Sequence, residues 1–125
     1  MSTMTCTSAR HARAVVLSPH GDLDFGALPL LCRALAEVPA GTREVTLDMS
    51  DVPFMDIAGV HLMEELRLFG LRRRASVETV GWQRQPLRVL RLNGRAARDG
   101  RYRVSAACVL VHRRVRPDGG DGPAG

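Results

Sequence analysis

At 125 residues the chain has the size of one domain, which excludes a two-domain architecture. Apolar residues at 45% and charged residues at 25% suit a packed core and exclude wholesale disorder. The net charge is +5 and every basic residue is arginine, a pattern that GC-rich coding bias explains. The arginines are scattered apart from the short clusters at 72–74 and 113–116, and aromatics make up only 4%, so nucleic acid is not the expected partner.

In chain order, Met4 to Ser8 reads as a ragged first strand. Ala14-Val15-Val16-Leu17 reads as a buried strand stopped by Ser18-Pro19-His20-Gly21. Asp22-Leu23-Asp24 leads into Leu28, Leu31, Leu35 and Val38, which share one helical face; Pro29 is tolerable only in the first turn, and Pro39-Ala40-Gly41 ends the helix. Glu44 to Asp48 alternates as a half-buried strand does. After a loop, Ala58, Leu62, Leu66 and Phe69 form the clearest helical stripe, with His61 turned outward and Gly70 offered as its C-terminal cap.

Ser76 to Val80 alternates again, and Pro86 is placed to open a third helix that Asn93-Gly94 closes. Tyr102 to Val104 fits a short last strand. Ser105 can cap a fourth helix from Ala106 to about His112, although Val109 and Val111 suit a strand as well. The order strand, helix, strand, helix, strand, helix argues for a layered α/β domain.

Cys6, Cys32 and Cys108 are odd in number and have no metal-like spacing, so they read as reduced, mostly buried small apolar residues. Met1 to Arg13 lacks the apolar stretch of a secretory signal, and no run approaches a membrane span, which leads to a cytoplasmic expectation. His20, Asp22 and Asp24 have a spacing that could hold a metal on an extended strand, but Pro19 and Gly21 break that geometry. No metal, cofactor or catalytic constellation is expected. Asp56, immediately before a helical stripe, is a natural N-cap, and Asp48 a turn-former at a strand end.

Two segments resemble a known family. Gly21-Asp22-Leu23-Asp24 is similar to the Gly-Glu-Leu-Asp turn that opens the first helix of STAS domains. Residues 47–60, Leu-Asp-Met-Ser-Asp-Val-Pro-Phe-Met-Asp-Ile-Ala-Gly-Val, resemble the signature Leu-Asp-Leu-Ser-x-Val-x-Phe-Met-Asp-Ser-Ser-Gly-Leu. The Pro86–Gly94 helix resembles the family's third helix, and the similarity spans residues 13–114. The resemblance implies a single STAS-like α/β domain over 3–114, a small mixed sheet with about four α-helices, and a disordered tail over 115–125.

It further implies a non-enzymatic anti-sigma factor antagonist that binds an anti-sigma factor and serine kinase, with a homodimer compatible. The implied partner-binding residues are Asp22, Asp24, Met55, Asp56, Ile57, Ala58 and His61, with Met55, Ile57 and His61 forming an apolar contact patch. The alternative within the family is a free-standing subunit of a lipid-transport or other transporter complex. The serine that members phosphorylate is Ile57 here, followed by Ala58, so neither position offers a hydroxyl. Ser50, upstream, is a poor substitute. Whether Ile57 faces solvent or the core is open at the level of sequence.

Overall fold

The computed structural model describes residues 3–95 and 100–105. Strands β1 (Thr5–His11), β2 (Ala14–His20), β3 (Glu44–Asp48), β4 (Ser76–Val80) and β5 (Tyr102–Ser105) form one sheet in that order. The outer pairs β1–β2 and β4–β5 are antiparallel, and β2–β3 and β3–β4 are parallel, so the sheet is mixed. A 3₁₀ turn (Phe25–Ala27) leads into α1 (Leu28–Ala36); α2 (Ala58–Arg73) joins β3 to β4, and α3 (Arg84–Leu92) joins β4 to β5. Parallel neighbours need a crossover, and the helices supply it.

Alternation along the strands decides what is covered. Val15, Leu17, Val45, Leu47 and Val77 are buried, whereas Val16 between two of them is exposed. Leu31 and Leu35 of α1, Leu62, Met63, Leu66 and Phe69 of α2, and Leu90 of α3 complete the core. Each such side chain withdrawn from water contributes about 1.5–3 kcal/mol. Trp82 is buried with its indole N–H donating to Thr79 Oγ1 at 2.8 Å. That hydroxyl in turn donates to the Tyr102 carbonyl at 2.8 Å, which pins β5 to β4.

Several boundaries differ from those read in the sequence. β1 is longer and regular, because it finds a full antiparallel register against β2. β2 continues through Pro19: its pairing with β3 ends at Leu17, so beyond that point the proline's missing N–H costs no ladder bond. Helix α2 passes Gly70, whose carbonyl accepts the N–H of Ala75, and ends at Arg74 in a left-handed conformation (φ 55°). Gly70 is thus a buried interior residue of the helix. Helix α3 begins at Arg84, with Pro86 still in the first turn, where no intrahelical donor is needed.

Three α-helices are present among the described residues against the four expected; the fourth, at 106–112, lies outside them, as does the tail over 115–125. The cysteines also correct the reading. Cys32 is exposed on the outer side of α1 and Cys6 is only half-buried, where burial pushes its thiol up; Cys108 lies outside the described residues.

Candidate functional site

The loops after β2 and β3 lie side by side and hold each other. Leu23 and Met55 form a parallel bridge, the Leu23 N–H donates to the Phe54 carbonyl (2.9 Å), and the Asp56 N–H donates to the Leu23 carbonyl (3.2 Å). The Gly21 N–H donates to the Asp51 carbonyl at 3.0 Å. Asp51 Oδ2 accepts from His20 Nδ1 at 2.6 Å, and His20 Nε2 meets the Thr7 hydroxyl at 3.1 Å, so the loop is also tied to β1 and β2.

Each loop then opens a helical segment through an aspartate. Asp24 Oδ1 accepts the Ala27 N–H at 3.1 Å, and Asp56 Oδ1 accepts the Ala58 N–H at 2.8 Å. Both satisfy a donor that a helix start leaves free. Asp48 behaves as the expected turn residue, accepting the Ser50 N–H at 3.0 Å. Helix α3 adds a clamp. The Gln85 side chain accepts the Met55 N–H at 2.9 Å and donates to the Met55 carbonyl at 3.0 Å, while Gln83 donates to the Ser50 carbonyl at 2.7 Å.

Among the residues named from the sequence, Asp22, Ile57 and His61 are exposed, and Asp24 and Asp56 are half-buried caps. Met55 and Ala58 are wholly buried, which corrects the expected patch: neither offers surface to a partner. Met55 points under α2, and a Cβ on Gly59 would fall on its sulfur, so the glycine is the space this methionine occupies. Ile57 is 44% exposed, which answers the question left open above.

The two loops also carry two exposed aromatics that sequence reasoning missed. Phe25 is 52% exposed, with its ring 5.3 Å from that of His61; Phe54 is exposed beside Met55. Phe25 sits three residues before Leu28, in phase with the α1 stripe, so periodicity offered no sign that it is exposed. Gln85 had no local signal, because its partner is thirty residues away. His20 turns to Asp51, and among the described residues no group of three or more His, Cys, Asp or Glu is gathered to hold a metal. Among the same residues no helix is long and apolar enough to cross a membrane.

The arrangement is a hydrogen-bonded loop pair that carries the exposed side chains of Phe25, Phe54 and Ile57. Residues 7–97 match the STAS domain family. No curated protein matches the chain. Among solved structures, the crystal structure of Mglu aligns with a TM-score of 0.56 at 25% identity over 63% of this chain, which spans only a fifth (20%) of that protein's length. An antisigma-factor antagonist STAS domain from Rhodobacter sphaeroides aligns at 0.52 and 23% identity, over 62% of this chain and 86% of the other. The anti-sigma factor antagonist SpoIIAA in its unphosphorylated form aligns at 0.54 and 18% identity, over 91% of this chain and all (100%) of the other.

Proposed function

The chain belongs to the STAS domain family, and from that premise we propose that it is an anti-sigma factor antagonist that binds its protein partner through the surface around Ile57. The observation that carries this reading is the exposure of Phe25, Phe54 and Ile57 on a loop pair held by hydrogen bonds, with the Phe25 ring packed against His61. Large apolar side chains exposed together mark contact surfaces. Rigid loops reduce the ordering cost of binding. The module is a binder and not an enzyme, and its partner is a protein of the anti-sigma factor and serine-kinase class.

Phosphate at a helix start of this kind would add a charge of about −1.5 to −2 and release an apolar partner by repulsion and desolvation. Ile57 has no oxygen to accept it, and Ala58 behind it is buried. The interaction is therefore not switched at this position, and the chain acts as a constitutive competitor for its partner.

Affinity purification from the source cell identifies that partner, and calorimetry with Ile57→Asp tests the surface. The substitution should keep the circular dichroism and melting temperature of the native chain and weaken binding by about 2 kcal/mol or more, roughly thirtyfold. Ile57→Ser should gain phosphorylation by the partner kinase, while the native chain takes up none at this position. Unchanged affinity for Ile57→Asp, or recovery of a transporter subunit as the partner, would overturn the proposal.

A further inference from the structure

Helix α3 carries Arg84, Arg88 and Arg91 at i, i+4 and i+7, which sets three guanidinium groups along one face about 10 Å long. All three are exposed, while Pro86 and Leu90 on the opposite face are buried. Among the described residues none of the three makes an ion pair, and the sequence contains no carboxylate between Glu78 and Asp99. Arg95, just past the helix, extends the basic area toward α2, where the Arg67 hydrogen bond first, and the Arg95 charge last, hold the Glu64 carboxyl below its usual range.

Arginines on α2 are used differently. Arg67 closes on Glu64 at 2.6 Å, and Arg73 lies over the Phe69 ring and donates to the Val38 carbonyl. Solvated helix faces ordinarily mix signs, and like charges at i, i+4 repel. A single-sign stripe therefore carries a local cost that a partner's carboxylates would offset. The stripe is also continuous with the docking surface: Gln83 and Gln85, on either side of Arg84, hold the very loop that presents Phe54 and Ile57.

We infer that the protein partner lays an acidic helix along α3, with carboxylates at i, i+4 and i+7 facing Arg84, Arg88 and Arg91. This rests on the docking reading above and names the partner's chemistry. Planar guanidinium groups pair with carboxylates in a two-point fork, which fixes register as well as charge. An acidic protein surface fits better than a bilayer, because Leu92 is the only large apolar side chain that α3 exposes to solvent, too little to anchor an interfacial helix. Phosphate-rich duplexes would leave the adjoining apolar cluster unused.

The probe is a fluorescein-labelled synthetic helical peptide with glutamates at i, i+4 and i+7, titrated against the full chain by anisotropy. Two variants carry the same change in net charge: R84E/R88E/R91E on the stripe, and R10E/R33E/R72E at exposed positions elsewhere. Binding by the native chain should weaken as salt rises from about 50 to about 200 mM. The stripe variant should lose about tenfold or more in affinity, while the scattered variant keeps its own. Circular dichroism checks folding, and the milder R84Q/R88Q/R91Q replaces the stripe variant if it unfolds.

Equal loss in both reversed variants would reduce the effect to net charge and overturn the inference. So would stripe-dependent binding to phosphatidylserine vesicles or duplex DNA tighter than to the peptide. Ile57→Asp separates the two claims. Native partner affinity in that variant defeats the docking reading while the stripe result stands, and stripe variants that bind the peptide like the native chain defeat only the stripe.

Discussion

The two helix entrances are written in one local grammar and held in two different ways. Leu23-Asp24-Phe25 and Met55-Asp56-Ile57 each run buried apolar residue, capping aspartate, exposed apolar residue. At the first, Asp24 closes a short 3₁₀ turn before α1 begins; at the second, Asp56 runs almost directly into the sixteen residues of α2. The first entrance leans on the second through the Leu23–Met55 bridge, whereas the second is gripped from its other side by Gln85 as well. The rigidity of the loop that presents Ile57 is therefore imported from α3 and does not come from the capping aspartate alone.

The largest effect should come from emptying the bridge. Leu23→Ala and Met55→Ala remove fully buried side chains and should each cost about 2–5 kcal/mol in urea denaturation, with the double variant departing from the sum because the two residues are neighbours. Simple additivity would mean that the two entrances are independent. Removing the clamp separates them next. Gln85→Ala leaves the Met55 amide and carbonyl without their partner and should cost about 1–3 kcal/mol, with hydrogen exchange rising at residues 54–56 more than at residues 22–24. Equal exchange in both loops would show that the grip is shared.

The caps should matter less and in unequal measure. Asp56→Ala should cost about 1 kcal/mol, and Asp24→Ala less, since the Asp24 backbone carbonyl also accepts the Ala27 N–H at 3.0 Å and keeps that donor satisfied. Thermal melts of the two variants give the order directly. The smallest effect belongs to the exposed Glu64–Arg67 pair on α2. Its hydrogen bond to Arg67 lowers the Glu64 carboxyl, so its contribution is present above the usual carboxylate range and is lost as pH falls through the lowered folded value. Surface pairs are heavily screened, and Glu64→Gln should leave the melting temperature unchanged at pH about 7.

The sequence by itself determined the element order, the α2 stripe, the capping role of Asp56 and the absence of a hydroxyl at residues 57 and 58. These follow from periodicity, from side-chain chemistry adjacent in the chain, or from residue identity. It left Ile57 undecided and placed Met55 on the surface, because exposure in a loop depends on what the rest of the chain lays over it. Only the tertiary structure decided that Met55 fills the space left by Gly59, that Phe25 meets His61, and that Gln85 reads the backbone of a loop thirty residues away. The same holds for β2 running on through Pro19 and α2 running on past Gly70. A residue's local propensity yields where a neighbouring strand or a packed helix face satisfies the backbone group in question, and that neighbour is distant in sequence.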